Sequence, residues 1–226
     1  MIENPAISVI IPTLNEAHRL PKLLQSLVGQ RWLNEIIVSD GGSMDQTRDV
    51  CLQFPVNWVS TTRGKSHQFN IGASHATGNI LLFLHADSQL PPNALESIPS
   101  VLQEGNIAGT FQMAFDDPSP LLRFYAGFTR FNSTLFTYGD QGLFLSKSVF
   151  DELKGYPETP FLEDVEMVKN IKKRGRMGKS PVRITTSAQR FRESGLISQQ
   201  LRNIAIVVLY KMGISPEHLI KFYPYK

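Results

Sequence analysis

With 226 residues, 42% of them hydrophobic, the chain can bury a substantial core, and one domain over residues 1–226 is the expectation. A formal net charge of +3 is compatible with anionic ligands and too mild to point to nucleic acid. A lone cysteine, Cys51, excludes an intramolecular disulfide; no run reaches the roughly 20 apolar residues of a membrane span, and the first residues lack a signal peptide's basic and apolar regions, so a cytoplasmic protein is expected.

Residues 7–11 read as a strand buried on both faces, closed by the polar loop Pro12, Thr13, Leu14, Asn15 and Glu16. Pro21 suits the first turn of a helix whose Leu23, Leu24, Leu27 and Val28 form one apolar stripe, ended near Gly29. A second strand over 35–38 runs into Ser39, Asp40, Gly41, Gly42 and Ser43, where two glycines permit a tight turn and close approach of a ligand to backbone. A helix over 45–52 and a short strand over 56–59 follow. The segment 62–66, with Arg63 and Lys65, opens another helix, rich in small residues and terminated by Gly78. Residues 81–84 form a strand that stops abruptly at His85 and Asp87. This alternation predicts an α/β fold with a mostly parallel sheet, its loops at 12–16, 39–43, 62–68 and 85–88 gathered along one edge.

After about residue 90 the pattern changes. A helix from Pro91 through about Gln103, a strand over 107–115 and an aromatic stripe through Phe124, Tyr125, Phe128 and Phe131 are expected, the stripe serving as core or interface. Gly139, Asp140, Gln141 and Gly142 precede a strand over 143–146 and a helix near 149–153. Glu163 and Asp164 start a helix that ends in Lys172, Lys173, Arg174 and Gly175, and Lys169, Arg176 and Lys179 are read with it as a solvated cationic helix end. Residues 201–214 are apolar nearly all round, which implies burial or a homodimer contact, with peripheral membrane contact as the lesser reading.

Asp40 and Asp87 each follow an apolar strand, so a parallel sheet delivers both carboxylates to the edge where α/β proteins bind ligands. One can hydrogen-bond a base or ribose and the other hold a divalent cation against phosphate; the plain alternative is that both cap turns. Arg63, Lys65 and Gln68 add donors suited to a diphosphate, or form a solvated loop. His18, His67, His75 and His218 show no spacing that builds a metal site.

The motifs at 9–16, 38–43, 63–73, 82–87, 139–141 and 161–166, in that order, resemble the family 2 nucleotide-sugar glycosyltransferases with the A-type fold. Gly213 to Pro216 and Tyr223 bring the chain nearest to the radical-SAM/selenodomain-associated transferase 2 subgroup. The resemblance implies a nucleotide-binding half over about 1–90 and an acceptor and catalytic-base half over about 91–226. It places Pro12, Thr13, Asn15, Glu16, Asp40, Gly41, Arg63, Lys65, Gln68 and Asp87 around the donor, with Asp40 reading the base. It makes Asp164, beside Glu163, the catalytic base, and puts Asp140 and Gln141 on the acceptor side. The implied reaction is inverting displacement from a nucleoside diphosphate sugar, a UDP-sugar first, to an unidentified hydroxyl acceptor, assisted by Mn²⁺ or Mg²⁺.

The chain departs from the family's Asp-x-Asp motif, in which His85 replaces the first acid. Neutral imidazole ligates Mn²⁺ better than Mg²⁺, so Asp87 and His85 together are the candidate metal pair, with packing as the alternative for His85. Asp164 near a helix N-terminus is expected to be ionised at neutral pH, unless it and Glu163 merely cap that helix. A nucleotidyltransferase, which needs a Gly-rich basic loop after the first strand, and a non-catalytic nucleotide-sugar-binding protein are the alternative functions.

Overall fold

A computed structural model describes residues 4–131 and 139–220. Part of the expected aromatic stripe, residues 132–136, and Tyr223 fall outside them. Among the described residues seven strands form one sheet: β1 (Ile7–Thr13), β2 (Leu33–Asp40), β3 (Asn57–Ser60), β4 (Ile80–Phe83), β5 (Ala108–Phe115), β6 (Leu143–Ser146) and β7 (Met177–Thr186). Their order is β3-β2-β1-β4-β6-β5-β7. The helices are α1 (Leu20–Leu27), α2 (Thr47–Cys51), α3 (Lys65–Ser74), α4 (Ser97–Gln103), α5 (Pro120–Gly127), α6 (Lys147–Glu152), α7 (Glu163–Arg174), α8 (Gln189–Ser194), α9 (Leu196–Lys211) and α10 (Pro216–Leu219).

The first four strands run parallel, with Thr13 paired to Asp40, Asp40 to Ser60 and Ile10 to Phe83. Their carboxyl ends therefore share one edge, as the alternation requires. Alternate residues of β1 feed two cores: Ile7, Val9 and Ile11 pack with the α1 leucines and α4, while Ile10 packs with Phe69 and Ala73 of α3 and Met167 and Ile171 of α7. Fully buried strands read as continuous apolar runs for this reason. Cys51 is buried in the first core, and burial pushes its thiol up to about 11, in keeping with a packing role.

Gly72 sets the height of α3 above the sheet. A Cβ there would lie 2.5 Å from both Ile10 Cγ2 and Ser39 Oγ, so only glycine lets the helix approach this closely. That approach brings Gln68, one turn earlier, within reach of the strand ends.

Beyond β4 the sheet changes direction, because β6 is antiparallel to both β4 and β5, while β7 runs parallel to β5. β7 corrects the sequence reading, which ran a solvated helix end through Lys179. α7 stops at Arg174, and Lys179 lies on a strand that shifts register between Thr110 and Gln112 around Pro181. Gly178 and Pro181 weaken any strand signal, and such residues are tolerated here on an edge strand with an irregularity. No helix among the described residues is long and apolar enough to cross a membrane.

Candidate active site

The parallel edge is organised around Asp40, which is 3% exposed. Its Oδ1 accepts from Thr13 Oγ1 at 2.9 Å, and its Oδ2 accepts from the backbone N–H groups of Gly42 at 3.2 Å and Ser43 at 2.8 Å. Ser43 Oγ also donates to Oδ1. Asp40 thus ties its own turn to the end of β1. The Gln68 amide completes this knot, donating to Thr13 O at 2.8 Å and Ser39 O at 2.9 Å. Gly41 donates its N–H to Thr13 O, and a Cβ on it would press on the Gln68 amide at 3.0 Å.

Pro12 and Thr13 are buried at the end of β1, and Asn15 follows in the left-handed region at φ 56°. Asn15 Oδ1 accepts from Met44 N–H and its own N–H donates to Ser43 Oγ, which locks the two loops together. Glu16 pairs with Arg19 at 2.9 Å. Arg63 stands exposed on the loop before α3. Apart from Asp87 at the tip of β4, the residues named from sequence around the donor thus occupy one edge, in two linked loops and at or just before the start of α3.

The second cluster joins the tip of β4 to the start of α7. Lys65 Nζ lies 3.1 Å from Glu163 Oε1, and Glu163 is almost fully enclosed. Burial alone would raise the Glu163 carboxyl, but the Lys65 ammonium and its hydrogen bond, the backbone N–H of Glu163 and His85 together outweigh it and hold the group below its ordinary value. His85 Nε2 stands 3.8 Å from Asp140 Oδ1 and 3.9 Å from Asp164 Oδ2. Burial, reinforced by Lys65, pulls the imidazole down to about 4, so these are approaches of a neutral ring and not ion pairs.

The N-cap of α7 is Leu162, at φ 60°, whose side chain makes no capping hydrogen bond. Asp164 points into the cluster with its side chain 16% exposed. Its carboxyl is raised well above the ordinary range, first by burial and then by Glu163, with Lys65 opposing. The shift runs against the helix N-terminus, which was expected to favour the ionised form. A helix N-terminus contributes only about 0.3–1 kcal/mol in most settings, too little to offset burial beside a second carboxylate. The loop leading to α7 is fixed by Asn70, which bonds Tyr156 N–H at 2.7 Å and Tyr156 O at 2.9 Å.

Asp87 is pushed up to about 6, first by burial and then by Asp140 and Glu16, with Arg19 and Arg190 opposing. Among the described residues no three His, Cys, Asp or Glu side chains stand close enough to encircle a metal ion by themselves. The donor chemistry nonetheless fits a divalent cation. His85 and Asp87 offer nitrogen and oxygen ligands, the neighbouring carboxylates Asp140 and Asp164 add negative potential, and phosphate oxygens or water would complete the shell.

Two residues escaped the sequence reading. Lys179, on β7, donates to Gln141 Oε1 at 2.6 Å, Thr110 Oγ1 at 2.5 Å and Phe111 O at 3.4 Å. It holds Gln141, itself buried, beneath the turn that carries Asp140. Arg190, on α8, acts electrostatically on both His85 and Asp87. It is brought there because Gln89 and Thr185 exchange backbone hydrogen bonds, joining the end of β7 to the loop after Asp87. No local pattern signals that pairing.

Comparison with known proteins agrees with this arrangement. Residues 8–151 match the family model described as glycosyl transferase family 2. The chain is 40% identical over 102 residues to a 4,4'-diaponeurosporenoate glycosyltransferase of Staphylococcus haemolyticus, covering 41% of this chain and 27% of that protein. It is also 40% identical over 94 residues to a PGL/p-HBAD biosynthesis glycosyltransferase of Mycobacterium bovis, covering 38% and 37%. The chain thus spans well under half the length of these curated relatives. Among solved structures, S. aureus TarS 1-349 superposes with a TM-score of 0.68 at 15% identity, over 96% of this chain and 69% of that one. The Pyrobaculum calidifontis mannosyltransferase PcManGT, in complex with GDP-Man and Mn²⁺, gives 0.68 at 21%, over 96% and 67%. The likeness shows the A-type glycosyltransferase fold. Because the matched region runs from β1 through the Asp40 turn and the His85–Asp87 tip to β6, the chain belongs to glycosyl transferase family 2.

Proposed function

We propose that the protein transfers a sugar from a nucleoside diphosphate donor to a hydroxyl acceptor by a single inverting displacement. The observation that carries this reading is the meeting of Asp164 with the β4 tip, where His85 Nε2 approaches both Asp164 and Asp140. Donor-side loops and a carboxylate from the other half of the chain thereby face one space. TarS has been solved with UDP-GlcNAc and PcManGT with GDP-Man, which supports a nucleotide sugar here.

In this account the Asp40 turn and the Gln68 knot form a rigid floor for the nucleoside, with Asp40 nearest the base. Lys65 and Arg63 face the diphosphate. The acceptor hydroxyl gives its proton to the Asp164 carboxylate as its oxygen bonds to the anomeric carbon, and the carbon–oxygen bond to the diphosphate breaks with its electron pair leaving on the diphosphate. The raised proton affinity of Asp164 strengthens it as a base once ionised. His85 and Asp87 would hold a divalent cation, which supplies neutralisation of the leaving diphosphate when bound. Asp140 lines the acceptor side, with Gln141 beneath its turn braced by Lys179.

The test is incubation with UDP- and GDP-sugars in Mn²⁺, with the products resolved by chromatography and the first-formed sugar anomer read by proton NMR. Release of nucleoside diphosphate with inverted sugar supports the reading. Release of pyrophosphate from a nucleoside triphosphate and a sugar phosphate would assign nucleotidyl transfer instead. Nucleotide binding with no release would assign a binding protein.

A further inference from the structure

Away from the donor edge, α5, α8 and α9 enclose an open groove of about 390 Å³. That is within the roughly 300–1,000 Å³ range of small-molecule sites. Phe124 and Tyr125 of α5, Phe191 of α8, and Ile204 and Val208 of α9 form its walls. Phe124 is 67% exposed, Ile204 48% and Val208 45%, so the apolar surface is open to a ligand and not spent on the core.

Three observations say what fits. Gln200 contributes an amide to the wall, and its Oε1 is buried without a hydrogen-bond partner among the described residues, an arrangement that costs free energy until a donor arrives. The flanking charge is predominantly cationic: α5 and the turn after it carry Arg123 and Arg130, α8 carries Arg190 and Arg192 against one acid, Glu193, and α9 carries Arg202 with no acid through residue 210. α8, whose Phe191 lines the groove, is also tied to the donor edge: its Gln189 accepts from Arg19, which pairs with Glu16, and the Gln89–Thr185 pairing just before α8 joins it to the loop after Asp87. An apolar trough with a cationic rim matches an anionic amphiphile, and the Gln200 acceptor adds a place for a hydroxyl or N–H donor on that ligand.

We propose that the groove seats the hydrocarbon chain of an anionic lipid, with its head group held at the α8 end where the acceptor hydroxyl is needed. This assignment of acceptor class rests on the transferase reading above. The test uses 11-(dansylamino)undecanoic acid as probe, titrated by fluorescence into wild type, into the neutral double variant Ile204→Asn/Val208→Asn, and into Val208→Trp, which fills the groove. These positions are surface-exposed, and unchanged circular dichroism checks the fold. Saturable one-to-one binding is expected in wild type, weakened more than tenfold in both variants. Equal binding in the variants, or none in wild type, would overturn the proposal. So would a wild-type dimer by light scattering that becomes monomeric in the double variant, since a second copy would then cover the groove. UDP and GDP titrations on the same samples separate the two readings: nucleotide affinity should stay within about twofold across variants, and its absence in wild type counts against the donor site whatever the probe does.

Discussion

At the scale of single residues, most polar side chains of the edge serve two ends, and Gln68 shows the division. Its amide bonds two backbone carbonyls at the ends of β1 and β2, so Gln68→Ala removes two buried hydrogen bonds, leaving Thr13 O only its bond from Gly41. A loss of about 1–3 kcal/mol is expected in urea denaturation, together with weaker nucleotide binding as the Asp40 turn loosens. Unchanged stability would show that the knot is not structural. Lys179 gives a pH test. Burial pulls its ammonium down to about 7, while an unfolded lysine titrates near 10.4. Between those values the unfolded chain binds more protons, so the lysine's contribution to stability rises with pH and is lost as pH falls through about 7. Wild type should therefore gain on Lys179→Met between about pH 7 and pH 9 in urea midpoints. A pH-independent difference between the two would contradict it.

At the scale of elements, α3 is the lever of the donor edge. Gly72→Ala forces its backbone away from Ile10 and Ser39, an overpacking cost of about 1–3 kcal/mol. The same displacement carries Gln68 from its carbonyls, so thermal stability and UDP or GDP affinity should fall together; a fall in stability alone would separate the helix from the site. β1, β2, β4 and α7 were legible in the sequence because apolar runs and helical spacing are local signals. β7 was not, since its pairing with β5 overrides the glycine and proline within it. Lys179 was misplaced for that reason and Arg190 went unnoticed, because both reach the site through that one strand. The sequence showed Asp164 at the start of α7 but not the burial that raises its proton affinity, because desolvation depends on neighbours brought from β4 and α3.

At the scale of the whole molecule, one sheet joins two different constructions. The parallel part gathers the loops at 12–16, 39–43 and 85–87, and the turn before the antiparallel strand β6 brings Asp140 to His85 Nε2, which Asp164 also approaches. Binding two substrates across such a junction lets a base and a leaving group face each other without a preformed bond between them. The central claim is that Asp164 removes the acceptor proton. Its most direct test compares steady-state turnover of the nucleotide sugar by wild type and Asp164→Asn, with nucleoside diphosphate affinity measured in parallel by calorimetry. The account predicts a fall in kcat of about 10²–10⁴-fold with affinity nearly unchanged; wild-type turnover in Asp164→Asn would contradict it.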